Sequence, residues 1–273
     1  MTDSNMNLPN LTLLTVSGED RVSFLQGQLT QDVSQLGEQR PALLAASCDA
    51  KGRVLAVITL IARPESIDIL IREDLADAWV SQIMRFRLRA RVEIVPQTLA
   101  VVTAAEEDGD GYQLTTGAGN ASANRWRVGT WVESYVENDD CDLATTDPLL
   151  WRQARLRAGI PDFGPVSSGK FTPHMLGLQD RSAISFNKGC YTGQEVVART
   201  HHLGVAKRGP QLLQLAALGD ADCGDEVFAG DRKCGSIAAI SGDLAFAVIQ
   251  SDAGDALQTA NGEVLSRVPF DSV

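Results

Sequence analysis

The chain has 273 residues, of which 44% are hydrophobic and 22% charged, with a net charge of −11. This is the composition of an ordinary soluble globular protein, with no apolar run near the ~18 residues of a membrane span. The excess of acid argues against broad nucleic-acid binding. Five widely spread cysteines (Cys48, Cys141, Cys190, Cys223 and Cys234) form no CxxC pair. They argue against a disulfide framework and a closed zinc site, and they fit a reducing cytoplasm. The N-terminal residues lack a basic patch followed by an apolar run, so no secretory signal is expected. The three histidines are His174 and the adjacent pair His201 and His202, and no metal site is expected from them.

Leu11 to Val16 reads as a strand. Ser17 to Asp20 then starts a helix with Val22, Leu25, Leu29 and Val33 at helical spacing. Leu43 to Cys48 and Val54 to Ala62 read as strands flanking the turn Asp49-Ala-Lys-Gly52. Ser66 to Arg72 is a further strand, and Glu73 to Phe86 a helix with Leu75, Ala78, Trp79 and Ile83 on its apolar face. Ala90 to Val95 and Leu99 to Thr103 are strands. Arg85, Arg87, Arg89 and Arg91 recur at every second residue. A strand would align them as a basic stripe. A helix ending near Phe86 would leave Arg85 and Arg87 to complement its C-terminal dipole, and this second reading is preferred.

Glu106 to Asn124 reads as loop and Arg125 to Val136 as strand. Asp147-Pro148 starts a helix through Leu150, Trp151, Ala154 and Arg157 that Gly159 ends. Lys207-Arg208-Gly209-Pro210 reads as a linker. Beyond it, short apolar runs between Gly/Asp turns predict a small β-barrel or sandwich. Leu150 to Pro210 holds nine Lys/Arg against three acids, which suggests a local anion site.

The densest motif is Ser185 to Arg199. Ala183 to Phe186 reads as a short buried strand, and Thr192 with Glu195 has capping-box spacing. Cys190 then falls just before a helix start and two residues from Lys188. Both neighbours favour a thiolate. The alternative is a small buried hydrophobe.

Lys188-Gly-Cys-Tyr-Thr-Gly-Gln-Glu195 resembles the signature of the YgfZ family of folate-binding proteins, related to the aminomethyltransferase (T-protein) of the glycine cleavage system. Phe24-Leu-Gln-Gly-Gln-Leu-Thr-Gln-Asp32, Cys48-Asp-Ala-Lys-Gly-Arg53 and Phe171-Thr-Pro173 agree with it. The resemblance implies an α+β, T-protein-like fold with two interleaved ferredoxin-like subdomains and a small C-terminal β-barrel. Residues 1–205 would form the folate-binding region, with 1–46 plus 140–205 as one subdomain and 47–139 as the inserted one. Residues 206–273 would form the barrel.

By the same resemblance the ligand is tetrahydrofolate or a derivative. Trp151, Lys188, Tyr191, Gln194, Glu195, Arg157 and Asp49 are its candidate contacts, and Cys190 is the reactive thiol. Trp151 is read as a pocket wall, against core packing as the alternative; Leu11 stands where the family has a second pocket aromatic. T-proteins hold the pterin with the Glu of Arg-Leu-Glu-Ala-Gly. Here Arg157 occupies that place in Arg155-Leu-Arg-Ala-Gly159, and a guanidinium cannot accept a hydrogen bond. Ala56 and Val57 stand where T-proteins carry their catalytic acid. The function implied is an accessory factor for assembly or repair of iron–sulfur enzymes, including those that thiolate tRNA. Its partners would be those client enzymes or cluster-assembly proteins. The alternatives are a tetrahydrofolate-dependent aminomethyltransferase or demethylase, disfavoured by the missing acid, and a direct tRNA binder, disfavoured by the net charge.

Overall fold

Strand β2 (Ala42–Cys48) is buried along its whole length, because its two faces serve two different cores. Ala42, Leu44, Ala46 and Cys48 enter one core and Leu43 and Ala45 the other, as period-two alternation requires. β1 (Leu11–Ser17) divides likewise, with Leu13 on one side and Leu14 and Val16 on the other. With β3 (Val54–Ala62), β4 (Ser66–Arg72) and β5 (Glu93–Gln97) these strands form an antiparallel sheet in the order β2-β3-β4-β1-β5. The sheet thus runs through positions 46 and 47, where the sequence reading divides its two subdomains. The structure, a computed structural model, describes residues 11–97, 101–106, 124–128, 131–136, 148–204, 207–216 and 220–271.

One core lies between the sheet and the helices α1 (Arg21–Gln26) and α2 (Glu73–Met84), with Phe24, Leu25, Leu75, Trp79 and Ile83 at its centre. α1 is shorter than expected, since the chain leaves the helix at Gly27. Leu29 and Val33 are buried all the same, Val33 from a 3₁₀ turn. Ala78 is exposed and Ala76 takes its place in the core. The other core takes Trp151 and Leu156 from α3 (Pro148–Arg157), Val197 from α4 (Gln194–Leu203), and the irregular run of residues 160–184.

The expected barrel is present as six strands: β9 (Arg208–Gln214), β10 (Glu226–Ala229), β11 (Arg232–Ser241), β12 (Leu244–Gln250), β13 (Leu257–Thr259) and β14 (Val264–Val268). They close in the order β10-β11-β12-β9-β14-β13. Along β12, Ala245, Ala247 and Ile249 fill the barrel, while Leu244, Phe246 and Val248 face the core shared with the sheet. Three strands, β6 (Val101–Glu106), β7 (Asn124–Val128) and β8 (Trp131–Val136), make a separate sheet in the order β6-β8-β7. Arg125 to Val136 therefore holds two strands rather than one. Cys141, Asp147 and most of the expected loop after Glu106 lie outside the described residues.

Four local expectations are corrected. Arg208 to Pro210 belongs to β9 rather than to a linker. β14 pairs with β9 only from Leu212 onward, so Pro210 sits where β9 has a neighbour on one side, and its missing N–H leaves no gap. Ala90 to Val92 is not yet strand; the helix does end close to Phe86, as preferred, and the arginine alternation falls on turns after α2. Ala183 to Phe186 forms no strand; Ser185 N donates to Thr30 O at 2.9 Å and Thr30 Oγ1 donates to Ala183 O at 2.7 Å. Finally, α4 does not start with a Thr192–Glu195 capping box. Its cap is Gly193 with φ +84° and no side-chain capping bond, while Thr192 N donates to Gly27 O at 3.1 Å.

Candidate functional site

The segments that carry the motifs fold onto one another. Asp49 closes the β2–β3 turn: its Oδ1 accepts from Lys51 N and Arg53 N, both at 2.8 Å. The carboxylate is thus occupied in building the turn. Gly52, at φ +69°, presents bare backbone to the start of α4. A β-carbon on Gly193 would stand 2.5 Å from Asp49 O and 2.9 Å from Gly52 Cα. Only a residue with no side chain and a left-handed backbone fits there, which places the helix start after Thr192.

Lys188 fastens the other side. Its ammonium donates to Gln26 O, Leu29 O and Gln31 O, each at 2.7 Å, and lies 5.1 Å from the centre of the Tyr191 ring. Burial pushes this lysine down to about 8, and the three carbonyl dipoles oppose the loss of its proton. The charge expected to activate Cys190 is therefore engaged with the loop after α1. Thr30, fully buried, adds a second tie: its Oγ1 also accepts from Ala46 N at 2.9 Å. Val54 N donates to Phe171 O at 2.8 Å and Arg53 to Lys170 O at 2.9 Å, which brings in the Phe171-Thr-Pro173 segment.

Within this assembly Cys190 is exposed. Tyr191 is buried, and burial followed by the nearby Cys48 raises its phenol so that it stays protonated. Gln194 Oε1 accepts from Tyr191 N at 3.2 Å. Glu195 is exposed on the first turn of α4. Cys48 is buried, and burial pushes its thiol up to about 12. Beside them lies a ring cluster that unites all three histidines of the chain. Phe186 and His201 stack at 3.7 Å, His174 lies 6.2 Å and 6.3 Å from them, and His202 meets His201 edge-on at 5.4 Å. Both ring nitrogens of His174 are buried without a hydrogen-bond partner among the described residues. Burial, then the neighbouring His201, lowers its pKa. No group of three or more metal-binding side chains among the described residues is placed to hold an ion.

Trp151 and Arg157 stand elsewhere. Trp151 is 1% exposed, with the Arg155 guanidinium 5.2 Å from its ring centre. It lines a narrow cleft with Leu11, Val57, Arg72, Arg155 and Asp162, and no residue of the Lys188–Glu195 motif reaches that cleft. Asp162 lies 3.5 Å from Arg72 and 3.6 Å from Arg152. Arg157 is half-buried and its carbonyl accepts from Asp271 N at 2.9 Å, near the end of the barrel. The basic residues of Leu150 to Pro210 do not converge: Arg155 covers Trp151, Arg181 covers Phe270, and Lys188 is caged by carbonyls. Sequence reasoning missed the roles of Thr30 and the Lys188 acceptors, although the Phe24–Asp32 motif pointed to the segment that supplies them.

No family model matches the chain. A tRNA-modifying protein YgfZ from Enterobacter sp. (strain 638) is 31% identical over 230 residues, 74% of this chain and 69% of the relative. The chain belongs to the YgfZ family. The fold has a solved counterpart in the glycine cleavage system aminomethyltransferase T from Bartonella henselae, with a TM-score of 0.64 and 13% identity over 95% of this chain and 82% of that one. The α+β architecture is thus T-protein-like. In this YgfZ protein, Val57 lines the cleft beside Trp151 and Ala56 enters the opposite core, so neither aligned position supplies a carboxylate there.

Proposed function

We propose that this protein is a folate-binding accessory factor that supports the assembly or repair of iron–sulfur enzymes, including those that thiolate tRNA. The observation that carries the reading is the convergence of the YgfZ-like motif segments into one assembly with an exposed thiol, Cys190, on it. Family membership adds the tRNA-modifying relative. The Trp151 cleft supplies an aromatic wall. It encloses only about 10 Å³ and Arg72 already pairs with Asp74 and Asp162, so folate entry there requires these side chains to move apart. The bound folate would supply one-carbon or redox chemistry; the residues here orient it. Cys190 acts as the thiol, and Lys188 and Gly193 act through it by holding its loop in place.

Aminomethyl transfer is the second reading. It needs a free carboxylate near the folate, and the acid lining the cleft, Asp162, sits between Arg72 and Arg152. Titration with tetrahydrofolate should quench tryptophan fluorescence, and much less so in Trp151→Phe. In a strain lacking this protein, wild type but not Cys190→Ser should restore iron–sulfur enzyme activity and thiolated tRNA. Equal quenching in both proteins removes Trp151 from the site. Turnover of a methylamine donor would favour the second reading.

A further inference from the structure

The arginine alternation after α2 has no part in the site described above. Arg85 caps the helix, and Phe86 N and Arg87 N still donate back to Ile83 O and Met84 O. Arg87 to Ala90 then closes a tight turn, with Ala90 N donating to Arg87 O at 2.7 Å. Arg91 returns to the body of the protein, where its N–H donates to Asp20 Oδ2 at 2.8 Å and its guanidinium pairs with Glu19. The turn is therefore held at both ends.

Among the described residues its side chains bond no further than the turn itself, where Arg87 Nε donates to Ala90 O at 3.3 Å. Arg85, Arg87 and Arg89 are exposed and form no ion pair among the described residues, in a chain of net charge −11. Leu88, between two of them, is 92% exposed, and Phe86 is 45% exposed. Leu88 also adopts φ +45°, a left-handed conformation that suits glycine and strains a branched side chain. The protein thus holds an apolar residue in an unfavourable backbone state where it buries nothing.

We infer that residues 85–89 are a docking knob for a partner protein whose surface offers an apolar pocket rimmed by carboxylates. Guanidiniums flanking an apolar anchor match the composition of protein–protein hot spots. Leu88, the most exposed residue of the knob, has no π-face for stacking bases, and the ring beside it, Phe86, is more than half covered, which makes a poor platform for RNA. An extended anionic surface, whether RNA or lipid, would also face the acidic remainder of the molecule. A compact acidic pocket meets only the local positive charge, because screening confines it to about 8 Å at physiological salt. The inference is independent of the folate reading.

The test uses the whole protein and three probes: a fluorescein-labelled peptide alternating acidic and leucine/phenylalanine pairs, oligouridine RNA, and phosphatidylserine/phosphatidylcholine vesicles. The peptide should bind, and binding should weaken with salt. Replacing Arg85, Arg87 and Arg89 together by Gln should weaken it about tenfold, as for loss of a hot spot. Leu88→Gly should bind severalfold more weakly while melting at the same or a higher temperature, since glycine relieves the strain. The inference is overturned if the peptide does not bind, if the arginine variant binds it equally well, or if RNA or vesicles bind the knob more tightly. It is also overturned if Leu88→Gly binds undiminished or melts lower, because Leu88 would then serve the fold.

Discussion

Gly193 and Gly52 meet backbone to backbone: a β-carbon on Gly193 would lie 2.9 Å from the Cα of Gly52, and one on Gly52 would lie 2.9 Å from Cβ of Val196. This contact seats α4 on the β2–β3 turn and sets where the Cys190 loop begins. Gly193→Ala combines a steric clash with a left-handed backbone, and should cost about 2–4 kcal/mol. Urea unfolding measures it. Gly189→Ala is the control, since nothing lies near its added carbon, and it should change stability by under about 0.5 kcal/mol.

Lys188 should behave as a structural lysine. Lys188→Met leaves three buried carbonyls without their donor and should cost about 2–4 kcal/mol. Lys188→Arg should not rescue it, because a planar guanidinium cannot aim three donors into a cage built for a tetrahedral ammonium. Chemical denaturation of the two variants checks this. If Arg restores full stability, charge alone holds the loop.

The cysteines should separate by accessibility. Cys190 is exposed, whereas Cys48 is buried with its thiol held up to about 12. At neutral pH iodoacetamide should label Cys190 in the folded protein and reach Cys48 only after unfolding. Peptide mass spectrometry against time reads both. Early labelling of Cys48 would mean that the β2–β3 turn opens readily.

His174 should make the fold acid-sensitive. Its pKa is lowered below 6.5 by burial and by His201, while Asp180 opposes the shift. A group depressed in this way binds its proton more readily in the unfolded chain. Its contribution is therefore fully present above pH 6.5 and is lost as the pH falls below that value. His174→Leu removes two unpartnered nitrogens, so it should be at least as stable at neutral pH and lose the decline below pH 6.5. Melting temperatures across that range decide it. An unchanged pH profile in the variant would assign the sensitivity to another group.

The strands of the central sheet were legible because they are short, nearly continuous apolar runs bounded by turns that carry Gly, Asp and Pro; Ala42 to Ala62 could be drawn almost to the residue. The order in which strands pair was not legible, because a continuous apolar run says that a strand is buried on two faces without saying by what. Thr192 and Glu195 have the spacing of a cap, but the contact of Gly193 with the distant β2–β3 turn moves the helix start. Lys188 looked like a neighbour for Cys190 because the two are close in sequence. Its acceptors are main-chain carbonyls, which leave no signature in side-chain identities. The histidines likewise gather around Phe186, a residue with no polar role, and His174 lies far in sequence from the other two.

The two-faced character of β12 bears on how the molecule comes apart. Leu244, Phe246 and Val248 belong to the core around Trp151 and Val197, while their immediate neighbours line the barrel. Cutting the chain before β9 would strip one wall from the core beneath the motif segments, and it would leave the barrel fragment with an oily stripe facing water. Neither half would be a finished product, so a protease nicking the chain near residue 206 would leave two pieces that stay together until both unravel.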